Sequence, residues 1–355
     1  MIIDAHMHVF PSLFQPHGFE AQSEYEAAAK RFFYEHLSQP PRRADTHRVD
    51  EKGNHVLGGE SADLVVSPYG RFTWRSEKGE YYSQFFPPYM ERMECTPRQA
   101  RSAMEYIGVD KAVLVSASPP IYGRLNEYYT EMATADCSFR GRFLALAHVE
   151  LPCPRDVDKA LEFIHRFSSV GFRGLFLGVG AEAFSSANWA FWDGVSESGL
   201  PIYISLYPKK GEWEKSFLRM GDWVSRYPQI RGVMTHAYPL STRVRDDSIH
   251  VGNDACAMLM ESSLLLEVSH PVSRGFVEEY PFPIVRRAVH MLVDCFGADR
   301  LAWGSDYPVV ERFCTYGQSL SYLTEHCPFI SPSEMESITG GNIARLFELG
   351  EQAGK

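Results

Sequence analysis

The stretch Thr96–Ala117, TPRQARSAMEYIGVDKAVLVSA, holds one complete helix-to-strand step. Threonine followed by proline marks a helix start, because the threonine hydroxyl caps a free N–H and proline at the first helical position sacrifices no hydrogen bond. The helix runs through RQARSAMEYI, Gly108 closes it, and KAVLVSA (Lys111–Ala117) follows as a short apolar strand. The same step recurs along the chain. Helices near residues 125–137, 155–170, 189–198, 213–227, 255–263 and 284–296 precede FLALAHV (Phe143–Val149), FRGLFLG (Phe172–Gly178), PIYISL (Pro201–Leu206), RGVMTHA (Arg231–Ala237), LLLEVSH (Leu264–His270) and RLAWGS (Arg300–Ser305), respectively. With the opening MIIDA this makes eight strands. Short apolar strands separated by helices predict a parallel sheet covered on both faces, and eight such units predict an α/β fold of the (β/α)8 TIM-barrel type. Residues 1–355 read as a single domain, with no evident internal repeat.

Residues 11–93 break the rhythm. They are rich in Pro, Gly, His and charge and are too long for an ordinary strand-to-helix connection, so they read as an insertion after the first strand. Barrel active sites lie at the C-terminal strand ends, which places the insertion over the mouth as a lid or substrate wall. The aromatic run RFTWRSEKGEYYSQFFPPYM argues for a packed segment. Within it, Arg71 and Arg75 are candidates for gripping a substrate carboxylate through bidentate pairs; the alternative is solvated lid charge.

Composition narrows the partners. A 45% hydrophobic content in 355 residues suffices for a large core, and a net charge of −10 with a pI near 5.7 argues against a nucleic-acid surface. A small molecule is the expected partner. Neither a signal peptide nor a membrane span is evident, so a cytoplasmic protein is expected. Seven scattered cysteines without C-x-x-C fit neither a disulfide framework nor a zinc ribbon and read as reduced thiols.

The opening MIIDAHMHVF ends in His6-Met7-His8. In an extended chain, residues i and i+2 point the same way, so both imidazoles can reach one point. The tripeptide alone is weak, since thirteen histidines in this length give about half an H-x-H by chance. Two further strand ends supply context. His236 closes the sixth strand, Asp306 follows the eighth, and all of these converge on one barrel mouth. Two imidazoles and a carboxylate suit Zn²⁺, Mn²⁺ or Fe²⁺, and another histidine nearby could act as a general base.

These segments, with RGVMTHAYP, GADRLAWGSDYP and the terminal GGNIARLFEL, resemble the amidohydrolase superfamily, specifically the amidohydrolase-2 branch that includes aminocarboxymuconate semialdehyde decarboxylase. The resemblance spans nearly the whole chain and includes the long insertion. It implies one divalent ion, zinc before manganese or iron, held by His6, His8 and Asp306, with His236 and Asp306 in catalytic roles. It also implies decarboxylation or carbonyl hydrolysis of a small carboxylated substrate. A homo-oligomer is expected.

The chain departs from that pattern at strand five, where PIYISLYP places Ser205 at the position the family gives to a ligand histidine. A neutral hydroxyl is a poor ligand. Strand four also lacks the lysine that binuclear relatives carbamylate. Three outcomes stay open: a metal with three protein ligands and added waters, a metal-free lactonase-like hydrolase, or an amidohydrolase-like subunit of a multi-component enzyme such as an iron-dependent oxygenase. His148 and His270 are candidate substitutes for the absent histidine.

Overall fold

The computed structural model describes residues 1–14, 21–28, 41–50, 64–76, 78–115, 141–151, 156–206, 213–237, 243–245, 248–250, 253–269 and 278–349. The helix-to-strand step from Thr96 folds as expected as far as Val115. Helix α1 (Pro97–Ile107) starts at Thr96, whose side chain accepts from the Gln99 N–H while the Gln99 side chain answers the Thr96 N–H. It stops at Gly108, whose φ of 78° is the left-handed cap that glycine adopts without steric cost.

Eight parallel strands form the barrel. In spatial order they are β1 (Ile3–Met7), β6 (Lys111–Leu114), β7 (Phe143–His148), β8 (Gly174–Val179), β9 (Ile202–Leu206), β10 (Arg231–Met234), β13 (Ser263–Val268) and β14 (Leu301–Trp303), while β11 (Arg243–Arg245) and β12 (Ser248–His250) pair separately as an antiparallel ribbon. The ring closes between β14 and β1: the His8 N–H donates to the Tyr307 carbonyl at 2.7 Å and the Asp306 N–H to the His6 carbonyl at 2.8 Å. This is the TIM barrel that the strand count predicts. The helix expected near 125–137 lies outside the described residues. RGVMTHA is shorter than expected as a strand, because the chain turns at Thr235 and His236 takes a left-handed φ of 56°.

Side chains alternate between two buried layers. Ile3, Ala5, Val113, Leu144, Leu146, Phe176, Tyr203, Val233 and Ala302 fill the barrel interior, and its N-terminal end is sealed by Ile343, Leu346 and Phe347. Ile202, Ile204, Leu206, Leu264, Leu266, Val268 and Trp303 face the surrounding helices. The bulge in β1 between Asp4 and Met7 shifts this alternation. His6 and His8 thereby turn toward the mouth.

Within the insertion, β2 (Arg42–Arg43), β3 (Val65–Ser67), β4 (Arg71–Ser76) and β5 (Gly79–Gln84) make an antiparallel sheet in the order β2-β5-β4-β3. Reciprocal backbone bonds between Phe10 and Cys95 tie its two ends together. Phe86 stacks on Phe10, Phe85 packs edge-on against both Phe86 and Phe72, and the Arg312 guanidinium lies 4.1 Å over the Phe85 ring, joining the insertion to the segment after β14. Among the described residues, the cysteines are free thiols and no helix is long and apolar enough to cross a membrane.

Candidate metal centre

Asp4 explains how β1 and β14 present their ends together. Its buried carboxylate accepts from the His6 N–H (3.0 Å), the Ser305 N–H (2.9 Å), the Ser305 hydroxyl (2.5 Å) and the Tyr316 hydroxyl (2.9 Å). Burial raises its pKa to about 6 against the opposing pull of these donors. One side chain thus clamps the backbone on both sides of the site, immediately before His6 and Asp306. Asp306 itself holds a left-handed φ of 58°, a costly conformation for a residue with a side chain, kept by the bonds on either side of it.

The predicted residues do meet. His6 Nε2 lies 3.1 Å from His8 Nε2, and Asp306 Oδ1 lies 2.7 Å from His8 Nε2 and 3.7 Å from His6 Nε2. Each ring's other nitrogen is already committed. His8 Nδ1 is 2.6 Å from the Val115 carbonyl, which can only accept, so that nitrogen carries a hydrogen. His6 Nδ1 is 2.8 Å from Glu267 Oε2 and donates to the carboxylate. In the neutral rings both Nε2 atoms are therefore bare lone pairs. Asp306 Oδ1 then has no donor, although it is buried.

Three lone pairs converging in a buried pocket require a positive charge among them, and a proton or a metal ion can supply it. The pKa of His6 shows the demand: burial alone would lower it, yet the Glu267 and Asp306 carboxylates outweigh burial and raise it to about 9. Burial likewise pushes Asp306 upward, but the surrounding imidazoles prevail and hold it far below the usual carboxylate range. The donor set fits a divalent cation such as Zn²⁺ or Mn²⁺ bound by His6, His8 and Asp306.

His236 stands beside this group, its ring centroid 5.1 Å from that of His6 and its Nδ1 2.7 Å from the Ser269 hydroxyl. Burial is the main reason its pKa is lowered, which keeps it neutral near pH 7. Ser205 is on the fifth barrel strand, two residues beyond the inward-facing Tyr203, and accepts from the Thr235 hydroxyl at 2.7 Å. Ile204 and Leu206 face the helices, as the inward register of Ser205 requires. His148 ends β7 with its ring against Phe176 and belongs to neither of the two groups of converging ligand atoms among the described residues, His6–His8–Asp306 and His6–His236–Glu267. His270 lies outside them.

The two arginines are engaged within the insertion's sheet. Arg71 stacks on Tyr82 and bonds Gln84, while Arg75 pairs with Glu80 at 2.7 Å on the exposed face of the insertion's sheet, opposite Phe72 and Trp74. Sequence reasoning missed Glu267, which is fully buried at the end of the seventh barrel strand. Its signal was a carboxylate at an inward position of the apolar run LLLEV.

Known proteins resemble the chain in part and in whole. It is 31% identical over 137 residues to an L-fucono-1,5-lactonase of Burkholderia ambifaria, an alignment covering 36% of this chain and 45% of that protein. The chain thus spans less than half the length of that curated relative. An amidohydrolase of Burkholderia multivorans solved with bound zinc superposes with a TM-score of 0.54 at 16% identity, covering 74% of this chain and 93% of the other. The 5-carboxyvanillate decarboxylase of Novosphingobium aromaticivorans, solved with manganese, gives 0.56 at 14% identity, covering 98% and 96%. At these identities the two structures speak to the fold. The Amidohydro_2 family model, described as amidohydrolase, matches residues 3–349, and the chain belongs to that family.

Proposed function

We propose that the chain is a metal-dependent enzyme that hydrolyses a carbonyl bond in a small molecule of the lactone class. The observation that carries this reading is the convergence of His6 Nε2, His8 Nε2 and Asp306 Oδ1, three lone-pair donors, with the Nδ1 atom of each imidazole already bound to an acceptor. A bound divalent ion would supply Lewis acidity there, polarising a carbonyl oxygen and acidifying water. Asp306, ionised throughout the physiological range, serves as the anionic ligand. His236 is the neutral base: the Ser269 hydroxyl orients its ring, and its lowered pKa leaves a nitrogen free of charge to take a proton from water and return it to the leaving oxygen.

The partial likeness to a lactonase favours ester hydrolysis over amide hydrolysis. Non-oxidative decarboxylation of a small carboxylate is the second reading. It is favoured by the resemblance at His6, His8 and Asp306 and by the insertion, which is anchored beside the mouth at Phe10 and Cys95. In that reaction His236 would first take a proton from water and then pass it to the carbon from which CO₂ leaves.

The test is a panel of sugar 1,5-lactones and hydroxybenzoate-type carboxylates, followed by proton release and CO₂ release with zinc or manganese added. Lactone hydrolysis that disappears on chelation and returns with metal supports the proposal. CO₂ release with no lactone turnover selects the second reading, and full lactonase activity after chelation refutes metal dependence.

A further inference from the structure

We infer that Glu267 is a positioning residue for the metal centre: its carboxylate locks the His6 ring so that Nε2, not Nδ1, faces His8 and Asp306. This rests on the metal-dependent reading above.

The first ground is the cost of the residue. Glu267 is 0% exposed on β13, between Leu266 and Val268, and beside Ala302 of the neighbouring strand. An apolar side chain would be cheaper in a barrel interior, because a buried carboxylate is tolerated only with a cationic or hydrogen-bonding partner. The partner is His6 Nδ1, at 2.8 Å, reached past the eighth strand from the seventh to the first.

The second ground is the space kept for this pair. A Cβ at Gly304 would stand 2.9 Å from Glu267 Cγ, 2.9 Å from Glu267 Cδ and 2.9 Å from His6 Cβ. The backbone of the eighth strand therefore passes directly against the contact, and any side chain there would wedge into it. The glycine in WGSDYP is explained by Glu267 and His6 together, with no appeal to an unusual φ.

Geometry also separates this role from direct ligation. The two nitrogens of an imidazole point to opposite sides of the ring, so a carboxylate on Nδ1 stands behind the ring when Nε2 meets the ion. A carboxylate so placed fixes the tautomer and strengthens the donor. The groups facing Glu267 among the described residues include the His6 ring, the His236 ring with Nδ1 3.8 Å from Oε1, the Ser269 hydroxyl and the Tyr203 phenol. The same carboxylate thus borders both the ligand histidine and the base.

The experiment is a calorimetric Zn²⁺ titration of the full chain and of Glu267→Gln, with circular dichroism and thermal melting on both. Glutamine keeps the length and an acceptor oxygen but loses the charge, so a folded variant is expected to bind Zn²⁺ about 10- to 100-fold more weakly. A folded Glu267→Gln with the parent's affinity overturns the inference. A second measurement does not depend on the variant folding. Long-range ¹H–¹⁵N spectra of the zinc-loaded parent, with His6 signals identified by their loss in His6→Asn, should show hydrogen on Nδ1 and metal on Nε2. Metal on Nδ1 overturns the inference whatever the titration gives. If the parent takes up no Zn²⁺, the metal reading fails and this inference falls with it, whereas uptake by the parent with equal affinity in the variant defeats this inference alone.

Discussion

His6 and His8 present their Nε2 atoms to each other at 3.1 Å while each Nδ1 is bound to an acceptor, Glu267 for one and the Val115 carbonyl for the other. Two bare nitrogens in such a place repel unless a cation joins them, and that need makes the stability of the metal-free protein depend on pH. The folded pKa of His6 is about 9, raised from 6.5, so its stabilising contribution is fully present below pH 6.5 and is lost as pH rises through 9. The loss amounts to at most about 3 kcal/mol. Thermal melts of chelator-treated protein should fall in Tm between pH 7 and 9, and zinc-loaded protein should fall less. Parallel pH profiles with and without metal would contradict this.

Asp306→Asn should keep the fold, since the amide matches the carboxylate in size, and should lose most turnover together with at least tenfold in metal affinity. The reason is charge: the anion held ionised by His6 and His8 is replaced by a neutral amide. Calorimetry and turnover measured on one preparation check both halves of the expectation. Near-parental values would remove Asp306 from the centre.

Gly304→Ala places a methyl group 2.9 Å from atoms of both Glu267 and His6, with all the proposed ligands retained. Overpacking of this kind costs about 1–3 kcal/mol. The expected outcome is a lowered Tm together with weaker Zn²⁺ binding, and an unaltered affinity in the destabilised variant would show that the pair moves without consequence for the site.

Arg75 is expected to matter little. It is 77% exposed, and its partner Glu80 is 57% exposed, so water screens the pair to within about 0.5 kcal/mol. Arg75→Ala should leave Tm and kcat/KM near the parental values, and a KM raised tenfold or more would return this residue to the substrate-gripping role that its sequence context suggests.

The barrel was legible because its signals are local. Thr96, Pro97 and Gly108 delimit a helix by capping chemistry alone, and short apolar runs at regular spacing count out the strands. His6, His8 and Asp306 were legible for a different reason: strand ends of a barrel converge whatever lies between them. Asp4 and Glu267 were not, because their importance comes from contacts across 301 and 261 positions, to Ser305 and His6 respectively, which no local pattern encodes. The left-handed turn at His236 was also hidden, since RGVMTHA reads as continuous strand and only the structure shows the chain leaving the sheet at Thr235. The inward register of Ser205 was legible in its apolar neighbours, and Ile204 and Leu206 do face the helices.

Metal content measured on protein purified without chelators tests the central claim most directly, with His8→Ala and Asp306→Asn prepared in parallel. Elemental analysis should find about one divalent ion per chain in the parent, as three converging donors allow, and a small fraction of that in either variant. Parent protein that carries far less than one equivalent and still turns over its substrate at full rate would contradict the account.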